Sequence, residues 1–160
     1  MTRTIRRFAL PLLTAAVAAL PAAAMADNGV HFNDPYIPEA PPVAQSLAGY
    51  MQVMNHSDED RVLVGASSPD FSNPMIHDIE HDGGMARMVH LDALEVPAGE
   101  AVSFEPGGLH LMLVGPQRKL AEGDKVEVTL IFADGTRTPV RFPVVSGESM
   151  KGGEHNHHHH

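Results

Sequence analysis

The stretch PMIHDIEHDGGMARMVH, residues 74–90, decides the fold. Two short runs, Pro74–Glu80 and Met85–His90, flank Asp82-Gly83-Gly84, and apolar runs broken by such a turn signal read as a β-hairpin. A two-residue type I′ turn on Asp82-Gly83 sets His81 against Gly84, Glu80 against Met85 and His77 directly against Met88. A turn on Gly83-Gly84 would instead set His77 against His90. The first register is the expectation, and it brings two side chains with Cβ atoms about 5 Å apart, close enough to share one metal ion.

Outward from this hairpin the same texture repeats. Runs of alternating or β-branched residues recur at Gly49–Asn55, Arg61–Ala66, Ala101–Phe104, Leu109–Val114, Lys125–Phe132 and Thr136–Val145. Pro106-Gly107-Gly108 and Asp134-Gly135 break them, and no window of 11 or more residues holds a period of 3.6. Short strands with closely spaced turns predict an all-β sandwich or barrel. Residues 34–46, with Pro35, Pro38, Pro41 and Pro42, read as an extended entry segment. After Val145 the pattern stops, and Ser146–His160 is polar, Gly-containing and expected to be disordered.

The first residues read as an address. Arg3, Arg6 and Arg7 precede an uncharged apolar run, Phe8–Ala24, and Ala24-Met25-Ala26 has the small–any–small pattern of a signal-peptidase site. Residues 1–26 are therefore expected to be a cleavable signal peptide, residues 27–147 a β domain, and residues 148–160 a flexible Met/His-rich tail. Arg6-Arg7 also invites a twin-arginine route, which the following Phe-Ala-Leu fits imperfectly. Pro11 and Pro21 interrupt the run, which argues against a membrane anchor, and no later segment approaches the ~20 apolar residues of a span.

Composition narrows the chemistry. The 160 residues include no Cys and no Trp, with 20 acidic against 11 basic side chains. Without Cys there is no disulfide scaffold, thiolate zinc site, iron–sulfur cluster, CxxC redox centre or blue-copper site. A net charge of −9 argues against nucleic acid as a partner. Cleavage after Ala26 would remove three Arg and no acid, leaving 8 basic and 20 acidic residues and a net −12. What remains for metal binding is imidazole and thioether, abundant here as 11 His and 9 Met.

A second cluster, His110-Leu111-Met112, follows Pro106-Gly107-Gly108, and strand alternation sets His110 and Met112 on one face. Imidazoles combined with thioethers favour Cu(I), whereas Mg²⁺ or Ca²⁺ would want oxygen donors. A lone His-x-Met on a strand is more often packing than ligation. His77, Met88, His110 and Met112 together match more: ten residues separate the first two, and twenty-one separate Met88 from His110. With Ala48-Gly49-Tyr50-Met51, Asn55, Leu63–Ser68, Gly83-Gly84-Met85 and Pro106–Leu113 around them, residues 29–145 resemble the periplasmic copper chaperone family PCu(A)C. The resemblance implies a cupredoxin-like Greek-key β-sandwich holding one Cu(I) through His77, Met88, His110 and Met112. It also implies delivery toward the CuA subunit of cytochrome c oxidase, often with a Sco-type protein, and a role as carrier rather than enzyme. The carrier is expected to be periplasmic and monomeric. Those four side chains are expected to lie partly exposed at one end of the sandwich, since a carrier must release its ion.

The remaining His and Met residues divide. Met51 and Met54 are three apart on one strand and point to opposite faces, so at least one fills the core. Met75 shares parity with His77, with packing its expected role; Met85 and His81 flank the turn in solvent; His90 competes for a ligand position; His31 and His56 read as surface residues. In the tail, Met150, His155, His157, His158, His159 and His160 would supply a second, Cu(II)-type site. A purification tag is the bland alternative, but Asn156 interrupts the run and the signal peptide is still present. Rival functions are an exported non-metal interaction module, which 5% aromatic residues argue against, a copper-buffering or resistance protein, and a copper oxidoreductase, which would need open, His-rich coordination.

Overall fold

The computed structural model describes residues 29–147; the expected signal peptide (1–26) and tail (148–160) lie outside the described residues. The described residues form ten strands: β1 (Val30–Pro38), β2 (Ser46–Asn55), β3 (Arg61–Ser67), β4 (Phe71–Asp82), β5 (Met85–His90), β6 (Leu94–Val96), β7 (Ala101–Phe104), β8 (His110–Pro116), β9 (Lys125–Phe132) and β10 (Arg137–Val145). Hydrogen bonding links them in the order β5-β4-β8-β2-β1-β10-β9-β3-β6, with β7 also on β2. Among the described residues no helix is long and apolar enough to cross a membrane.

Strict alternation on β2 explains the layering. Leu47, Gly49, Met51, Val53 and Asn55 are buried while the residues between them are half-exposed. Ile76 of β4, Leu111 and Leu113 of β8, Val126, Val128 and Leu130 of β9 and Phe142 of β10 all belong to one core cluster. The two wings of the strand path therefore close on each other. A Cβ added at Gly49 would lie 3.4 Å from Leu111 Cβ and 3.6 Å from Phe142 Cε1, so the bare backbone there lets the layers touch.

Two strands escaped the sequence pattern. Part of the segment read as an extended entry is β1, antiparallel to β2 from Val30 to Tyr36 and parallel to β10 at Ile37 and Pro38. Its register shifts between Asn33 and Tyr36, where Asp34 has φ 48°, so a bulge accommodates the Asp34-Pro35 break that hid the strand. β6 has three residues, too few to show a period. Pro74 sits inside β4 without harm because β5 reaches only to His77 and leaves that part of β4 laddered on one side.

Leu111→Ala should cost about 2–5 kcal/mol of stability by urea denaturation, because Leu111 is fully buried. Met112→Leu, one residue on and facing outward, should change stability by less than about 1.5 kcal/mol.

Candidate metal centre

On β4 and β8, Met75 lies opposite Met112, Ile76 opposite Leu111 and His77 opposite His110. Ile76 and Leu111 are 1% and 0% exposed, so they define the core face. Alternation then turns the His and Met side chains of both strands to the other face. On the far side of β4, His90 of β5 lies opposite His77, and Met88 lies opposite Ile79. Three adjacent strands thus bring Met75, His77, Met88, His90, His110 and Met112 onto one sheet face.

The hairpin takes the second of its two registers. Asp82 pairs with Met85, and the turn is Gly83-Gly84, with φ 57° and 82°. A type I′ turn needs positive φ at both central residues, which two glycines adopt without the penalty Asp82 would incur. Direct opposition of His77 and Met88 is therefore corrected to a diagonal one. They still share a face, and diagonal neighbours about 7–8 Å apart remain within reach of a long side chain such as Met. Met112 has the same diagonal relation to His77 across β8. The cross-strand ion pair Arg87–Glu80, at 3.2 Å, fits this register.

The imidazoles differ in setting. The His77 ring centroid is 5.4 Å from that of His90 and 5.8 Å from that of His110, both edge to face. His110 Nδ1 lies 2.9 Å from the carbonyl oxygen of Gly108. A carbonyl only accepts, so Nδ1 donates its proton and the lone pair of neutral His110 resides on Nε2. The turn supplying that carbonyl is fixed by Glu105 N–H donating to Leu109 O and Gly108 N–H to Glu105 O. His77 Nδ1 is buried and has no hydrogen-bond partner. Burial, and then the charges His110 and His90 would bear if protonated, hold the His77 imidazole below its ordinary pKa. His90 Nε2 is 3.3 Å from Asp92 Oδ1, and both side chains are largely open to water.

Exposure corrects one expectation. Met88 is 49% exposed and His77 and Met112 are half-buried, but His110 is only 5% exposed. Its ring is tied to the preceding turn and lies against His77 rather than in solvent. Among the other residues, Met51 is in the core and Met54 on the opposite face, as their spacing requires, while His81 and Met85 are exposed. His31 and His56 are exposed as expected, but their rings touch, with centroids 4.8 Å apart. The spacing could not show that contact, because it depends on the unrecognised strand β1. Met150 and His155, His157, His158, His159 and His160 lie outside the described residues.

Chemically, the face offers neutral nitrogen and thioether donors and no carboxylate at its centre. Among the described residues no three His, Asp or Glu side chains form a metal-holding group, so thioethers are needed to complete a donor set. The residues fit such an ion. A buried polar atom without a partner, like His77 Nδ1, costs about 1–3 kcal/mol, and the depressed basicity of His77 keeps its ring a lone-pair donor rather than a cation.

Solved structures share this fold. The solution structure of Cu(I)-bound DR1885 from Deinococcus radiodurans is 33% identical, with a TM-score of 0.61, over 79% of this chain and 87% of that one. The copper-bound PCuAC domain from PmoF2 shares the fold, with a TM-score of 0.61 at 24% identity over 74% of this chain and 93% of its own. The fold and the His/Met face define a cupredoxin-like β domain of the PCuAC kind. Within that class the chain belongs to the LpqE-like family, which matches residues 30–144. A relative in Leifsonia xyli subsp. xyli, "Putative lipoprotein Lxx21020", is 35% identical over 98 residues, 61% of this chain. The alignment spans 59% of that relative's length.

The acidity of His77 gives a signed prediction. The unfolded chain takes up this proton near 6.5 and the folded chain only at lower pH. His77 therefore contributes stability above 6.5 that is lost as pH falls through the folded value. An NMR titration of the His77 Hε1 signal should give a midpoint below 6.5, and His90→Gln should move it upward.

Proposed function

We propose that this protein is a copper carrier that binds one Cu(I) through His77, Met88, His110 and Met112 and surrenders it to an acceptor protein. Copper is cargo here, and the protein is a carrier rather than an enzyme. The observation that supports this most directly is the convergence of those four residues, drawn from three strands, on one face of β5, β4 and β8. Two imidazoles and two thioethers form a soft, uncharged donor set, matched to a monovalent soft ion and poor for Cu(II). Thioethers lack the charge of thiolates, so binding is weaker and release easier, and they form no disulfides in an oxidising compartment. Met88, the most exposed of the four, is the natural point of exit.

The finer parts of the reading follow from the amino-terminal pattern and the family resemblance. Residues 1–26 direct export to the periplasm and are cleaved there. The recipient is the CuA subunit of cytochrome c oxidase, reached directly or with a Sco-type protein. Residues 148–160 form a second site that takes up Cu(II).

An anaerobic Cu(I) titration against a competing chelator tests the site. The His77/Met88/His110/Met112 site should take up one tight equivalent, keep it when residues 148–160 are deleted, and lose affinity on the order of 100-fold or more in His110→Ala/Met112→Ala. Absence of specific Cu(I) binding by the tail-deleted chain would overturn the carrier reading. The same deletion should abolish Cu(II) binding; loss of Cu(I) binding with it would overturn the two-site division.

A further inference from the structure

The outer face bears a second gathering of imidazole and thioether, remote from the first. His31 of β1 lies directly opposite Met54 of β2, so their side chains share a face with Cβ atoms about 4.5–5.5 Å apart. His56 follows two residues after Met54, and its ring meets His31 edge to face at 4.8 Å between centroids. Both imidazoles are exposed and Met54 is half-buried. On its other side Met54 faces Ala101 of β7, an exposed small residue that leaves the thioether uncovered there.

These donors stand on fixed backbone. His56 N–H donates to Gly29 O at 2.7 Å, closing the end of the β1–β2 ladder. The preceding Asn55 is fully buried; its Nδ2 donates to Glu59 O at 2.8 Å and to Val96 O at 2.9 Å. Asn55 Oδ1 accepts from the Ser57 amide at 3.0 Å and the Ser57 hydroxyl at 2.7 Å. The segment that presents His56 is therefore pinned on both flanks, as a preformed ligand site requires.

We propose that His31, Met54 and His56 form a second metal site, three-coordinate and selective for Cu(I). Two neutral imidazoles alone would accept Zn(II) or Cu(II) as readily; the thioether between the strands biases the set toward the soft monovalent ion. The site is independent of the first. Met112 lies opposite Ala48 on β2, and Met54 is six residues further along the same strand, about 20 Å at 3.3 Å per residue. One ion cannot bridge that distance.

The test uses the full chain bearing His110→Ala/Met112→Ala, so that the first site is disabled and failure there does not count here. Cu(I) is supplied anaerobically as its acetonitrile complex, and the imidazole Cε1–Hε1 signals and methionine methyl signals are followed by NMR. The His31, His56 and Met54 signals should shift together and saturate with one ion. His56→Asn should weaken that binding on the order of tenfold or more. Met54→Leu should weaken Cu(I) binding and leave the response to Zn(II) unchanged. Unmoved His31 and His56 signals, with Cu(I) perturbing other histidines only, would overturn the site. Imidazole shifts without movement of the Met54 methyl, or an equal response to Zn(II), would overturn its Cu(I) selectivity.

Discussion

The register between β4 and β8 is the constraint on which the site depends. Ile76 against Leu111 belongs to the core, and neither can leave it without exposing a large side chain that is at most 1% accessible. A one-residue slip would turn every side chain of the strand to the opposite face. Burial of this apolar pair therefore also sets His77 beside His110 and Met75 beside Met112 on the outside. These imidazoles and thioethers are positioned by apolar residues on the opposite face of the same strands.

The same packing tunes the donors. His110 is tucked against its own turn, and His77 is partly desolvated between two other rings, which makes the His77 ring a poor place for positive charge. Protons and soft metal ions compete for the same lone pairs, and burial weakens the proton more than it weakens an ion that also gains thioethers. Toward β5 the surroundings open: His90 and Met88 sit on an edge strand in contact with water. The face therefore grades from enclosed to exposed across three strands.

Most of this was legible in the sequence because period-two alternation survives in short segments. Met85–His90, Ala101–Phe104 and Lys125–Phe132 were bounded to the residue, and the shared face of His110 and Met112 followed from parity alone. The hairpin register was not legible, since Asp82-Gly83 and Gly83-Gly84 are both plausible turns and only backbone geometry separates them. β1 was hidden by Pro35 and Pro38, whose strand pairing depends on a bulge and on a parallel partner more than a hundred residues away. The depth of His110 was equally out of reach, because a hydrogen bond to a turn carbonyl leaves no trace in spacing.

Building a soft site from methionine moves its weakness elsewhere. Met88 is half in solvent and Met85, beside the hairpin turn, is 75% exposed. An exposed thioether escapes disulfide capture, but peroxide or hypochlorite converts it to a sulfoxide, a polar group whose hard oxygen has little attraction for a soft cation. Oxidation at Met88 would dismantle the donor set from its outer rim while Met112, half-buried on the inner strand, reacted more slowly. In the carrier proposed above, the exposed rim that would let cargo out is also where oxidants enter, and repair under oxidative stress would fall to methionine sulfoxide reductases rather than to thiol chemistry.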